Sequence, residues 1–138
     1  LKGAVLMNGI NRVLVCVTQQ KTCERLIKKG ASICNELNGE LFIIHVAMNG
    51  VNFLGNHKEG EALEYLFGIS KSVGADLTVL RSDDITDTIV KFSKENKITN
   101  IIVGEPPDNS RDNNIINELE EKLNNVEIYV MPISEQGF

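Results

Sequence analysis

Five short runs rich in Val, Ile and Leu alternate along this chain with longer stretches whose apolar residues recur every three or four positions. Continuous apolar runs of this length are typical of strands that are covered on both faces, as in a parallel sheet. The longer stretches are typical of amphipathic helices. In chain order, the predicted strands are residues 12–17, 41–46, 76–80, 100–104 and 126–131. Strands that alternate with helices predict an α/β domain with an open parallel sheet and helices on both faces.

The stretches between the strands carry signals for where each helix begins and ends. The first helix is predicted over residues 22–37, and Gly39 after it is suited to the left-handed conformation of a helix C-cap. The second helix is predicted over residues 59–73, and its apolar spacing puts Phe67 on the face that turns toward the sheet. Asp84 is suited to cap the third helix, because its side chain can accept a hydrogen bond from a free amide of the first turn.

Composition narrows the class of protein. The chain has 138 residues, a net charge of −5 and no basic run interleaved with aromatic residues, which predicts one globular domain that does not bind nucleic acid. No apolar run approaches the roughly 18 residues of a membrane span, so we expect a cytoplasmic domain without direct membrane insertion. Cys16, Cys23 and Cys34 form an odd set without a CxxC pair, which predicts buried free thiols and no metal site.

The predicted elements also define boundaries within the chain. The regular pattern of strands and helices begins at the first strand and ends just after the last one. We expect residues 12–132 to form the folded domain, residues 1–11 to be a leader or linker, and residues 133–138 to be a C-terminal tail.

Ligands of such sheets bind at the carboxyl ends of the strands, where the strand order reverses. The polar loop after the first strand begins with Thr18 and Gln19, and the loop after the fourth strand contains Gly104 and Ser110. His45 ends the second strand, where it is either a core residue with a polar tip or a ligand contact. Gly104 is equally explained as a simple turn from strand to loop.

Catalytic motifs are missing from the sequence. No glycines follow the first strand in the dinucleotide-binding pattern, and there is no phosphate-binding P-loop. No Ser or Cys nucleophile has a general base on a recognisable motif. We therefore predict no catalytic residue and no enzyme activity for this domain.

Three stretches resemble the universal stress protein superfamily: "RVLVCVTQQKTCERLIKKGASICNELNGELFIIHV", "DITDTIVKFSKENKITNIIVG" and "VEIYVM". Within it, the "ERLI" that follows the first loop is similar to the cytoplasmic domain of Kdp-type potassium-sensor histidine kinases. The resemblance implies a fold of the adenine nucleotide alpha hydrolase-like type with strand order 3-2-1-4-5. It also implies a non-catalytic cytoplasmic domain that works in regulation or signalling, either free-standing or within such a kinase.

The ATP-binding members of that superfamily carry a G-x-x-G motif, then nine residues, then Gly and Ser or Thr. Gly104 matches the first position, but the second falls on Pro107, which has no amide hydrogen. The last two positions fall on Asn117 and Glu118, and a carboxylate repels phosphate. The resemblance therefore implies a degenerate ATP-binding loop, and we expect no bound cofactor and no tight ATP binding.

Two other functions stay open at this point. The first is an adenine-nucleotide sensor for ATP, AMP or cyclic di-AMP, whose contacts would be Thr18, Gln19, His45, Gly104 and Ser110. Some Kdp-type domains bind cyclic di-AMP through a Ser-rich first loop and an aromatic second strand, which read "TQQ" and "LFIIHV" in this chain. The second is a dimerising interaction module without a ligand.

The last strand favours a homodimer. An edge strand exposes unpaired backbone groups, and Lys or Pro usually blunts it. Residues 126–131 contain neither, and their only charge is Glu127. The resemblance implies dimers through this strand, so we expect an interface formed by Val126, Ile128, Tyr129 and Val130, with Ile128 or Tyr129 as the apolar anchor.

Overall fold

The computed structural model describes residues 9–105 and 112–132. Five parallel strands form one sheet in the order β3-β2-β1-β4-β5. The strands are β1 (Arg12–Cys16), β2 (Glu40–Ala47), β3 (Asp76–Arg81), β4 (Asn100–Gly104) and β5 (Glu127–Met131). The helices are α1 (Gln20–Leu37), α2 (Glu59–Ser72), α3 (Ile85–Glu95) and α4 (Asp112–Lys122), and a short 3-10 turn spans Phe53–Gly55. The predicted α/β class and strand order are confirmed.

The helices cover the two faces of the sheet in pairs. Helices α1 and α2 pack on one face, and α3 and α4 pack on the other. In β1, Val13 and Val15 turn toward α1 and α2, whereas Leu14 turns toward α3 and α4, and all three side chains are fully buried. A strand enclosed on both faces must be apolar at every position, which explains why it appears in the sequence as an uninterrupted hydrophobic run.

Helix α1 follows the predicted apolar stripe but ends differently from the prediction. Its buried residues include Cys23, Ile27 and Cys34, as expected. The left-handed cap is Asn38, with φ of 55°, so the assignment of that role to Gly39 was wrong. Gly39 is required for space instead, because a Cβ there would lie 2.5 Å from the carbonyl oxygen of Asn11.

Helix α2 is rotated relative to the prediction. Ala62, Leu66 and Ser70 are buried, whereas Phe67 is 62% exposed. The predicted inward position of Phe67 was wrong because the apolar face of this helix is broad and Phe67 lies at its border, next to Glu64 and Lys71. The row of Ala62, Leu66 and Ser70 recurs every four residues and includes two small side chains, which let the helix approach the sheet.

The start of α3 confirms a predicted cap. Asp84 has extended backbone angles, and its Oδ1 accepts a hydrogen bond from the Asp87 amide at 3.0 Å. The terminal segments outside the sheet are only partly described, so the predicted leader and tail lie mostly outside the described residues.

Contact between α1 and β1 gives a stability prediction. Gly30 faces Val15, and a Cβ added to Gly30 would lie 2.2 Å from Cγ2 of this buried, stiff side chain. We expect Gly30→Ala to lower the free energy of unfolding by about 1–3 kcal/mol, as measured by urea denaturation.

The matched control lies in α2. A Cβ added to Gly68 meets nothing within 4 Å. Gly68→Ala should therefore raise the free energy of unfolding by about 0.5–1 kcal/mol through its helix preference. Equal effects of the two substitutions would contradict the account of Gly30 as a packing residue.

Candidate functional site

The strand order reverses between β1 and β4, and this reversal defines the candidate site. After β1 the chain turns to α1 on one face of the sheet, and after β4 it turns to α4 on the other. The two connections diverge, and in open α/β sheets ligands bind in the crevice expected where such connections separate, here between the carboxyl ends of β1 and β4. We call this region the carboxyl crevice; its walls begin at Thr18 and at Gly104.

Strand register aligns the residues that border the carboxyl crevice. Cys16 is paired with Ile44 of β2, and Val15 is paired with Ile102 of β4. Extending both registers to the next residues puts Val17 between His45 and Gly104, and the Val17 amide donates to the Ile44 carbonyl at 3.0 Å. Val17 is therefore at the centre of a row with His45 and Gly104, and β2 continues two residues beyond His45 to Ala47, further than the predicted end of that strand.

His45 is buried, with 3% of its surface exposed. Its Nδ1 lies 2.9 Å from the Val17 carbonyl oxygen, and its Nε2 accepts a hydrogen bond from the Leu54 amide at 2.9 Å. A carbonyl only accepts and an amide N–H only donates, so these partners require a neutral ring with its proton on Nδ1. Both nitrogens are thus engaged within the chain, and the carbonyl of Val17, the residue after β1, accepts one of these hydrogen bonds.

The segment after β2 is folded over the carboxyl ends of β2 and β3. We call residues 48–58 the β2 loop. At its centre Leu54 has φ of 55° and ψ of 19°, a left-handed conformation that is unfavourable for a residue with a Cβ, and its side chain is buried in the core. The buried side chain and the hydrogen bond to His45 hold Leu54 in this conformation.

Arg81, at the end of β3, anchors the outer side of the β2 loop. Its guanidinium donates to the Val51 carbonyl at 2.9 Å and to Glu59 at 2.8 Å, and it lies 4.1 Å from the ring centre of Phe53. Arg81 lowers the pKa of Glu59 through their hydrogen bond, so the carboxylate stays charged at neutral pH. The same Phe53 ring meets His45 edge-on, with the ring centres 5.8 Å apart.

Helix α1 begins at the carboxyl crevice with free amides. The side chain of Gln19, the residue before the helix, makes no capping hydrogen bond, and the first turn contains no acidic residue. Gln20 accepts a hydrogen bond from Asn56 of the β2 loop at 3.1 Å. The uncapped amides and the positive end of the helix dipole suit an anionic group at this edge.

The predicted site residues meet different environments. Thr18 and Gln19 are exposed, Gly104 is half-buried and His45 is buried. Ser110 lies outside the described residues, as does Pro107. The ligand contacts predicted for Thr18, Gln19, His45, Gly104 and Ser110 stay predictions. Sequence reasoning missed Leu54 and Arg81, although the position of Arg81 at the end of the strand beside β2 was a usable signal.

Two positions of the ATP-binding motif fall inside helix α4. Helix α4 begins at Asp112, so Asn117 and Glu118 fall in its second turn. Only the first few amides of a helix are free to bind a ligand. The two residues that occupy the Gly and Ser or Thr positions of the motif therefore have no free amides to offer, and Glu118 adds a half-buried carboxylate.

A second concave region lies at the opposite edge of the sheet. It is an open groove of about 600 Å³ between the C-terminal ends of α1 and α2 and the start of β2 and β3. Asn35, Glu40 and Asp76 line it. We call it the amino groove; it is distant from the strand ends and the helix N-terminus described above.

The cysteines are free and buried, as predicted. Burial raises the pKa of the Cys16 and Cys23 thiols to about 12, and the pKa of Cys34 is also raised, mainly by burial. Among the described residues, no group of His, Cys, Asp and Glu has the arrangement of a metal site. None of the described helices is long and apolar enough to span a bilayer.

No protein-family model matches the chain. The sensor protein KdpD of Mycobacterium tuberculosis is 27% identical over 94 residues, which are 67% of this chain and 10% of that protein. A Synechocystis protein also named KdpD is 27% identical over 94 residues, or 68% of this chain and 25% of that protein. The chain therefore matches only a tenth to a quarter of the length of these relatives.

Solved structures of universal stress proteins superpose on nearly the whole chain. One in complex with cAMP has a TM-score of 0.68 and 12% identity, and covers 88% of this chain and 97% of its own. One from Archaeoglobus fulgidus has a TM-score of 0.61 and 17% identity, and covers 92% of this chain and 96% of its own. Another from that organism, in complex with dAMP, has a TM-score of 0.59 and 16% identity, and covers 88% of this chain and 97% of its own. The chain has the universal stress protein fold, which confirms the predicted resemblance.

Burial of the thiols leads to a chemical prediction. At about pH 8 a thiol with a pKa near 12 is almost entirely protonated, and only the thiolate is nucleophilic. We expect Cys16 and Cys23 of the native chain to react with a thiol reagent at least about a hundredfold more slowly than free cysteine. In the urea-unfolded chain, all the thiols should react rapidly with the reagent. Fast reaction of either residue in the native chain would contradict their burial.

Proposed function

We propose that this chain is a non-catalytic cytoplasmic regulatory domain of universal stress protein type, whose carboxyl crevice binds an adenine mononucleotide and disfavours polyphosphates. The observation that carries the proposal is the row that aligns Val17 with Gly104 at the strand-order reversal, directly before the uncapped start of α1. Such a crevice combines a glycine that permits close approach with amides that favour one anionic group. The cAMP and dAMP bound to the two structural relatives support this class of ligand.

The selectivity against polyphosphates rests on the fourth connection. A triphosphate needs several backbone amides around its distal phosphates. Here Pro107 lacks an amide hydrogen, and Asn117 and Glu118 lie in the second turn of α4. Glu105 and Glu118 add negative charge on this side of the crevice, which repels further phosphates.

The similarity to KdpD supports a role in signalling. The matched segment is a small part of those sensor proteins, so this domain would modulate a larger protein of the potassium-sensor kinase kind. Absence of catalysis is supported by the protonated cysteines and by His45, whose ring nitrogens are both engaged in internal hydrogen bonds. A general base must direct its lone pair at the substrate, whereas the Nε2 lone pair of His45 accepts the Leu54 amide.

Calorimetry with AMP, cAMP, cyclic di-AMP and ATP tests the ligand assignment. We expect AMP or cAMP to bind at least about tenfold more tightly than ATP. The additional phosphates of ATP would lie near acidic side chains and would find no free backbone amides to bind them. Thr18→Val and Gln19→Leu should each weaken binding, since they remove polar groups at the mouth of the crevice while leaving exposed positions that the fold tolerates.

The control for this experiment is Asn35→Ala in the amino groove, which should leave the affinity unchanged. Loss of binding in that variant would move the site to the opposite edge of the sheet. Micromolar affinity for ATP would overturn the proposed selectivity, and no binding of any of the four ligands would leave only an interaction module.

A second proposal concerns assembly through β5. We infer that two copies pair through this strand about a two-fold axis, because β5 is an outer strand of the sheet and carries Val130 with 40% of its surface exposed. Ile128 and Tyr129 are partly buried against the cores on the two faces of their own sheet. Val130 is therefore a better candidate for the apolar anchor than either of them.

Light scattering on matched edge variants tests this assembly. At tens of micromolar we expect twice the chain mass of 15.3 kDa for the native protein and a single chain mass for Val130→Lys. Leu80→Lys is the control, because Leu80 lies on the opposite outer strand β3 and is 39% exposed. A native mass of 15.3 kDa, or dissociation by Leu80→Lys alone, would contradict pairing through β5.

A further inference from the structure

The contacts of His45 join the end of β1 to the strained turn of the β2 loop. The ring receives the Leu54 amide at Nε2 and donates from Nδ1 to the Val17 carbonyl, each at 2.9 Å. No other side-chain hydrogen bond to Leu54 is present among the described residues. One titratable ring therefore contacts both the carbonyl of Val17, directly after β1, and the left-handed residue at the centre of the loop.

We propose that His45 is a proton-operated latch that keeps the β2 loop closed in its neutral form and releases it when the ring is protonated. The proton adds to the Nε2 lone pair, which is the atom that accepts the Leu54 hydrogen bond. Nε2 then becomes a donor that faces another donor, so this hydrogen bond is lost and replaced by repulsion. The bond from Nδ1 to Val17 survives protonation, so the break occurs on the loop side only.

Leu54 makes the loop responsive to this single bond. Its left-handed backbone is unfavourable for a residue with a Cβ, and it persists because the side chain is buried and the amide is bound to His45. When the amide loses its acceptor inside the protein, it is left buried and unpaired. Turning outward relieves both the backbone strain and the unpaired amide.

The surroundings of His45 set the direction of the pH response. Burial lowers the pKa of His45 below its ordinary value of 6.5; the Val17 carbonyl acts in the opposite direction, and the positive charge of Arg81 on β3 lowers the pKa further. Glu59 at the start of α2 pairs with Arg81 and reduces that charge. Val17, directly after β1, and Leu54 of the 3-10 turn contribute only backbone groups to the hydrogen bonds of the ring.

The sign of the effect follows from these pKa values. In the open loop the ring is hydrated, and its pKa returns toward 6.5. The open form therefore binds a proton more readily than the closed form, and acid favours opening. The stabilisation of the closed loop is complete above about pH 6.5 and is lost as the pH falls through the lower pKa of the closed form.

Amide hydrogen exchange on the whole native chain tests the latch. We expect the protection factor of the Leu54 amide to fall by at least about tenfold as the pH is lowered from about 7.5 until the ring nitrogen shifts show that His45 is protonated. The amides of Val15 and Ile102, on the central strands, should keep their protection. The latch is refuted if Leu54 keeps its protection while His45 titrates, or if all three amides lose theirs together.

The chain offers a matched control, because its other histidine lies in the same loop. His57 is exposed, so His57→Gln should leave the response of Leu54 unchanged. His45→Phe keeps a ring of similar size and removes both hydrogen bonds, so Leu54 should be poorly protected at every pH. If His57→Gln abolishes the pH response of Leu54, that response depends on His57, and the proposal is overturned. The native titration decides the question even if His45→Phe does not fold, and it needs no nucleotide.

Discussion

The structure depends on the complete enclosure of β1. This strand has β2 and β4 as neighbours in the sheet and helices on both faces, so Val13, Leu14 and Val15 have no contact with water. Every other element is arranged around this strand, and Gly30 lets α1 approach it closely. The enclosure ends at Thr18, where the chain must turn away. The carboxyl crevice is the necessary gap at that point, because the connections after β1 and β4 leave toward opposite faces.

The sequence predicts the parts of this fold that burial dictates. The inner strands appear as apolar runs, and the Asp84 cap follows from local chemistry. Phe67 was misplaced because the apolar face of α2 is broad, so a tertiary contact and not the pattern decides which part of that face is buried. Gly39 was wrongly assigned as the C-cap. Glycine is needed there to leave space beside Asn11, and no local pattern reveals such a long-range contact.

The candidate site was only partly predictable for the same reason. Strand ends and a reversal of strand order locate the crevice, and they bring Thr18 and Gly104 to one edge. The contact between His45 and Leu54 requires a non-glycine residue in the left-handed region, which sequence patterns almost never indicate. The same ring donates to the Val17 carbonyl, so the proposed ligand contacts are Thr18, Gln19 and the amides of α1.

All five strands run in the same direction, so the two ends of the domain lie at opposite edges of the sheet. Arg12 starts β1 at the edge away from the crevice, whereas Met131 ends β5 in register with Gly104, and the Glu105 amide donates to the Met131 carbonyl at 2.9 Å. At about 3.3 Å per residue, the start of β1 is a full strand length from the crevice. In a longer polypeptide, a segment that follows β5 would therefore leave from the edge that carries the crevice, and a segment that precedes β1 would enter at the opposite edge.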